Sequence, residues 1–446
     1  MIVGEAVPAR VSRMLDEIAS IGADPPGVSR LAYTPDERRA HDLVATWLRE
    51  IDLEVSVDAV GNTIASRAGR EPGLPVLAFG SHLDSVPHGG RFDGIVGVVG
   101  MVEALRLLHE AGVTTSHPLR AVAFAAEEGA RFGEPCIGSK LIVGSLSESD
   151  LHRLRDPAGQ TLASAMTSVG LVPEDAWNAR WEEGDIAAFL ELHVEQGGVL
   201  EATGRPIGLV DVVSGSTRLR ITLTGRANHS GATPMRGRAD ALMGAAEVTS
   251  QAEALALSAT NRGLRLTIGR FDVWPNSTTT IPGRVTFTVD VRDTDSDRQR
   301  AVALEVAELA GSTGTRRGLG VEADIIADTS PIVLATWVRD RIRAVSDSME
   351  TPNRSMTSGA SHDAQVMSSI APAAIVFVPS RGGVSHVPEE WSSAGDIARG
   401  IDLLIRSIVD LDTFIAQVRG PATGASSDKT EPGRKRVSPT LEGTER

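Results

Sequence analysis

Four short stretches of this chain carry residues that could hold metal ions and activate water. Residues 81–94, Ser-His-Leu-Asp-Ser-Val-Pro-His-Gly-Gly-Arg-Phe-Asp-Gly, set His82, Asp84 and Asp93 around a glycine-rich loop after the apolar run Leu74–Phe79. Glu127 and Glu128 follow the apolar run Ala121–Ala125, His193 follows Ile186–Leu192, and His386 comes after Ala374–Val378. His, Asp and Glu at the ends of buried strands are what a hydrolytic metal site requires. One His-x-Asp means little; five potential ligands at four strand ends point to a single centre. Imidazoles and carboxylates without a thiolate suit Zn²⁺, Mn²⁺, Co²⁺ or Ni²⁺ and argue against a structural zinc cluster. An odd ligand count suggests two divalent ions sharing one carboxylate. Asp93 is the natural bridge, because Gly90 and Gly94 let its loop fold back over His82. Ions paired in this way lie about 3.5–4 Å apart and activate a water between them. Asp84 would orient or polarise a ligand imidazole; the plainer reading is a loop-capping aspartate. If the strand continues through them, Glu127 and Glu128 point in different directions. One could then bind metal while its neighbour carries a proton from water to the leaving nitrogen.

A second polar group lies further on. Asn228-His229-Ser230-Gly231-Ala232-Thr233-Pro234-Met235 places His229 in a glycine-flanked loop that opens a helix at Ala239, and Arg292 ends the strand-like Asp290-Val291-Arg292. A guanidinium fork is the usual carboxylate clamp, although either residue alone reads more readily as structural. Other features carry less. Gly133–Lys140 is a near miss to a phosphate loop, with its last two residues transposed. Cys136 has no histidine partner in its segment and reads as a buried thiol. Ser358, His362 and Asp363 are too close in sequence to form a triad, whose members normally come from separated elements.

These groups need a scaffold. Up to 213 the chain alternates short apolar runs with helical spacing such as Ile95–Glu110, which indicates an α/β fold with a mostly parallel sheet. Ligands of such sheets collect beyond the carboxyl ends of the strands. From 214 to 329 the texture changes: Ser216–Thr224 and Arg284–Val291 alternate, Arg265–Phe271 is strand-like, and Ala239–Leu257 has helical spacing. We read 214–329 as an inserted α+β lid and dimerisation domain. The catalytic domain then occupies 1–213 and 330–418, and 419–446 is a disordered tail whose Arg434-Lys435-Arg436 cluster is a solvated charge run. A net charge of −14 argues against a nucleic-acid partner. No apolar run reaches the roughly 20 residues of a membrane span. The single cysteine and the charged amphipathic start at Met1–Ser20 lead us to expect a cytoplasmic protein.

The pattern resembles the M20 metallopeptidase superfamily, and within it the amidase branch of N-carbamoyl-L-amino-acid hydrolases, β-ureidopropionases and allantoate amidohydrolases. The resemblance runs from about Ser29 to about Ile415. It rests on Gly80-Ser-His-Leu-Asp-Ser85, Gly89-Gly-Arg-Phe-Asp-Gly94, Glu127-Glu-Gly-Ala-Arg-Phe-Gly133, His193-Val-Glu-Gln-Gly197, Ala227-Asn-His-Ser-Gly231 and Pro379-Ser-Arg-Gly-Gly-Val-Ser-His386. It implies His82, Asp93, Glu128, His193 and His386 as ligands of two ions, with Asp93 bridging and Glu127 as base and then acid. It further implies Gln196 as a contact to the ureido group and Arg292 as carboxylate clamp. His229 would stabilise the oxyanion in the partner subunit of a homodimer. Two positions depart from the family pattern. Thr279 replaces an asparagine in Pro275-Asn-Ser-Thr-Thr-Thr-Ile-Pro-Gly283, and Ser361 replaces a glycine after Gly359 in Ser358-Gly-Ala-Ser-His-Asp363. Both fall among the expected substrate contacts and neither among the metal ligands, so the metal chemistry is expected intact and the substrate pocket altered. The expected activity is hydrolysis of a linear C–N bond in a small carboxylated compound, first an N-carbamoyl-L-amino acid. The alternatives are allantoate or another ureido or acyl-amide, an M20 dipeptidase or aminoacylase, and a metal-free binding relative.

Overall fold

The computed structural model describes residues 4–419. Residue 419, expected in the disordered tail, closes the last helix; residues 420–446, with Arg434–Arg436, lie outside the described residues.

Nine strands form the larger sheet. Its order is Ile332–Val333, Ile207–Val213, Ala373–Val378, Ile186–Val194, Val76–His82, Leu119–Phe124, Thr63–Arg67 and Glu54–Val57, with Asn353–Ser358 also on Ile207–Val213. The four central strands from Ala373–Val378 to Leu119–Phe124 run parallel. They are apolar at nearly every position because both faces are covered: Ile186–Val194 and Ala373–Val378 are buried throughout. The margins differ from a purely parallel sheet. Thr63–Arg67 pairs antiparallel with both of its neighbours, and Ile207–Val213 antiparallel with Ala373–Val378. Only five residues separate Glu54–Val57 from Thr63–Arg67, too few for a crossover, so a hairpin is the sole option.

Helices Pro8–Ala19, Ile95–Glu110 and Ala394–Arg419 contribute Val11, Met14, Val99, Val102, Ile401 and Ile408 to one core, and Phe124, Phe189, Phe377 and Met367 build another. The parallel strands therefore end together. His82 and His193 stand at or beside those ends, with the Glu127 and His386 loops just beyond.

The second sheet is antiparallel and ordered Arg265–Thr267, Arg284–Asp293, Gly215–Thr224, Gly320–Thr329, with Phe271–Trp274 also on Arg284–Asp293. Its inward positions, among them Leu219, Ile221, Val285 and Phe287, pack on helices Ala241–Ala256 and Ser296–Arg317. Two of its elements were not legible in sequence. Ser296–Arg317 presents only a narrow buried stripe of Gln299, Val302, Ala303, Val306, Ala310, Thr313 and Gly314, and Gly320–Thr329 is an edge strand with every side chain partly or fully exposed. The strand-like Arg265–Phe271 is in fact two strands. His229 lies in the two-residue strand Asn228–His229 against Thr280–Ile281, not in a free loop, and the next helix starts at Ala241, capped by Asp240. Among the described residues no helix is long and apolar enough to cross a membrane.

Candidate active site

Three loops converge where the central strands end. His82 closes its strand with its ring 2 % exposed. The next loop returns Asp93 over that ring, and Gly94 makes the return possible. Its φ is +69°, and a Cβ there would stand 2.4 Å from His82. The Asp93 carboxylate then faces two ways. Oδ1 lies 3.1 Å from His193 Nε2 and 3.7 Å from His82 Nε2, while Oδ2 lies 3.0 Å from His386 Nε2. His386 in turn is 3.6 Å from Glu128 Oε1. The ligand atoms thus fall into two groups, His82–Asp93–His193 and Asp93–Glu128–His386, that share Asp93. All five expected ligands are brought together, and this donor set fits two hard or borderline divalent ions.

Glu127 and Glu128 do not continue their strand, as an alternating reading would have it. The strand ends at Phe124, and Ala126 turns at φ +59°, so both carboxyls reach one cleft. Asp84 enforces this turn. Its Oδ1 accepts the Glu127 N–H at 2.8 Å and its Oδ2 the Glu128 N–H at 2.9 Å. Glu127 Oε2 faces His82 Nε2 at 3.9 Å, and Oε1 accepts the thiol of Cys136 at 3.1 Å.

Charge at the centre is out of balance. Burial raises the Glu127 carboxyl, and burial with the charges of Asp93 and Glu127 pushes Glu128 well above the carboxylate range. Burial would raise Asp93 as well, yet hydrogen bonds from His193 and His386 hold it well below that range. Desolvation opposes a charged His82, but the nearby Asp84, Glu127 and Asp93 carboxylates outweigh it and hold the ring well above its usual value. A cluster that recruits protons onto histidines is one that cations would satisfy.

Several supporting carboxylates escaped the sequence reading because nothing in their local pattern marks them. Glu390 Oε2 accepts the N–H groups of Phe92 and Asp93. Glu37 Oε1 accepts Ala126 N–H, and Glu191 bridges Ser81 Oγ and Ala364 N–H. Each holds a backbone segment next to a candidate ligand or to Glu127.

Gln196, at φ +57°, donates to Asp93 Oδ2 at 2.7 Å, and its Oε1 is buried without a hydrogen-bond partner among the described residues. Arg292 and Ser361 line the same cleft of about 220 Å³, and so does Arg218, which the sequence reading passed over. Arg292 donates to Asp290 Oδ2 and, at 2.6 Å, to Gly359 O, so Gly359 anchors the guanidinium. His229 and Thr279 do not line this cleft. They are exposed and adjacent to each other, with Ser230 N–H donating to Thr279 O at 2.9 Å. The Ser358 hydroxyl does meet His362 Nε2, but Asp363 turns away to Ser139 and the serine is buried, so no nucleophile is presented.

Comparison with known proteins places the chain in a family. The model of peptidase family M20/M25/M40 matches residues 78–410. An N-carbamoyl-L-amino-acid amidohydrolase of Paenarthrobacter aurescens is 35% identical over 412 residues, 92% of this chain and 100% of that protein. An allantoate amidohydrolase of Bacillus subtilis is 34% identical, over 90% of this chain and 96% of that protein. The crystal structure of an amidase of the hydantoinase/carbamoylase family from Burkholderia vietnamiensis superposes with a TM-score of 0.84 at 35% identity, covering 92% of this chain and 98% of that one.

Proposed function

We propose, from the premise that this chain belongs to peptidase family M20/M25/M40, that it hydrolyses the linear C–N bond of an N-carbamoyl-L-amino acid. The observation that carries this reading is the division of one carboxylate, Asp93, between two ligand groups, with Glu127 beside them and an arginine wall opposite.

His82 and His193 would hold one divalent ion, Glu128 and His386 a second, and Asp93 both. Bound there, the ions would polarise the scissile carbonyl and the attacking water. Glu127 takes the proton of that water at Oε2, the oxygen that the Cys136 thiol leaves free, and delivers it to the departing nitrogen. Gln196 offers its unpartnered Oε1 to a ureido N–H. Arg292 receives the substrate carboxylate. With an N-carbamoyl-L-amino acid and one water the products are the amino acid, CO₂ and ammonia.

His229 works, in this reading, in the partner subunit of a homodimer. Its Nδ1 accepts the N–H groups of Gly231 and Ala232, both at 3.1 Å, which places the ring proton on Nε2. An exposed N–H held in this way is suited to an oxyanion that its own chain does not bring near.

Allantoate is the second reading. The Bacillus subtilis allantoate amidohydrolase is nearly as similar as the carbamoylase, and Thr279 and Ser361 alter expected substrate contacts. Ammonia and primary-amine release by the Mn²⁺-loaded protein on N-carbamoyl-L- and D-amino acids, β-ureidopropionate, allantoate, N-acetyl amino acids and dipeptides separates the two. Turnover of one N-carbamoyl-L-amino acid supports the first reading and turnover of allantoate alone the second. Silence across the panel with metal bound overturns both.

A further inference from the structure

Of the arginines on the outer face of the lid sheet, two line the cleft, Arg218 and Arg292, and the proposed reaction uses only Arg292. Strands Gly215–Thr224 and Arg284–Asp293 pair so that Arg218 stands directly opposite Asp290, and Arg292 opposite Ser216. Leu219, Val289 and Val291 point into the lid core, which leaves Arg218, Asp290 and Arg292 together on the face turned to the cleft.

The two guanidiniums are not equally free. Arg292 spends donors on Asp290 Oδ2 through Nε and on Gly359 O through Nη1, with Nη2 also 3.0 Å from Asp290. Arg218 has one polar contact among the described residues, Nε to Asp290 Oδ2 at 3.5 Å, too long and loose to hold the group. A guanidinium has five N–H donors, and those on Nη1 and Nη2 of Arg218 are uncommitted. Charge points the same way. Arg218 and Arg292 share one aspartate, so this pair keeps a positive charge for a further carboxylate, and Arg265, in register opposite Arg292, adds to it. The side chain of Arg218 is 31 % exposed, which leaves its fork reachable from the cleft.

We propose that Arg218 is a substrate-binding residue, the second half of the carboxylate clamp, whose free fork takes the substrate carboxylate beside Arg292. Asp290 aligns the two guanidiniums, and Gly359 O fixes Arg292 as the inner wall of the clamp. The inference rests on the amidohydrolase reading of the same cleft.

The test compares an N-carbamoyl-L-amino acid with its uncharged carboxamide in the native protein, Arg218→Gln, Arg218→Lys and Arg292→Gln. Loss of a charge-assisted hydrogen bond from Arg218→Gln should collapse the carboxylate-over-carboxamide preference in KM by about 10- to 100-fold, with Arg218→Lys recovering part of it. Calorimetric titration of the metal-depleted protein with the same two compounds reads the preference without turnover. If the native metal-loaded protein turns over neither compound but the metal-depleted protein still prefers the carboxylate through Arg218, the activity reading fails and the clamp stands. An unchanged carboxylate preference in Arg218→Gln overturns the proposal, as does equal weakening toward both compounds or no measurable binding of the carboxylate by the native protein.

Discussion

Asp84 accepts the backbone N–H of Glu127 at 2.8 Å, and this bond, with its twin to Glu128, ties the loop after one parallel strand to the loop after its neighbour. The side chain expected to polarise an imidazole is therefore first a brace. Its oxygens accept the two amides, and Oδ1 also stands 3.5 Å from His82 Nδ1, so the same carboxylate faces the imidazole.

Asp84→Asn turns one acceptor into a donor facing an N–H group, so one carboxylate should leave the cleft. We expect metal affinity and kcat to fall about 10- to 100-fold, the range for groups that orient ligands. Metal content by mass spectrometry beside steady-state rates checks this; native metal content and rate would leave Asp84 no such role.

Glu127→Gln keeps the shape of the side chain and the Cys136 contact but removes the proton acceptor. kcat should drop by roughly 10²–10⁴ while two ions per chain stay bound. Full activity in this variant would remove Glu127 from the reaction.

His229→Ala and Glu127→Gln should complement each other when mixed as exchanging dimers. Random pairing makes half of the dimers mixed, and each mixed dimer has one complete site, so about one quarter of native activity should return. No recovery would confine His229 to its own chain, and a monomer in sedimentation would exclude the arrangement.

Chelation should lower the unfolding midpoint. Without cations Asp93 and Glu128 crowd one another, and burial adds to the cost of charging Glu128. Restored Zn²⁺, Mn²⁺, Co²⁺ or Ni²⁺ at about 100 times its Kd should return roughly 3 kcal/mol. Denaturant curves with and without chelator measure it, and coincident curves would argue against tight metal binding.

Gly94→Ala puts a methyl group into the His82 ring and an L side chain at φ +69°. A loss of about 1–3 kcal/mol in stability is expected, with a matching loss of metal affinity. A native-like midpoint and native metal affinity would show that the loop can shift.

The candidate ligands and Glu127 were legible because they end or follow apolar runs, with Asp93 in the glycine-rich loop after one of them, and the order of these runs dictates a sheet whose carboxyl ends meet. Periodicity also revealed Ala241–Ala256, whose apolar residues recur with helical spacing. It failed for Gly320–Thr329, an edge strand with little buried surface to imprint a pattern. The braces Glu37, Glu191 and Glu390 were silent for a related reason. A carboxylate that accepts distant backbone amides leaves no periodic signature.

By itself, the sequence determined which groups could do chemistry, since side-chain type and glycine placement are local properties. Only the tertiary structure decided how Asp93 divides its two oxygens, how Asp84 turns both glutamates into one cleft, and which arginine keeps its donors free. Those depend on distances between residues about 40 to 300 positions apart in the chain, which close packing of the core fixes and no local pattern encodes.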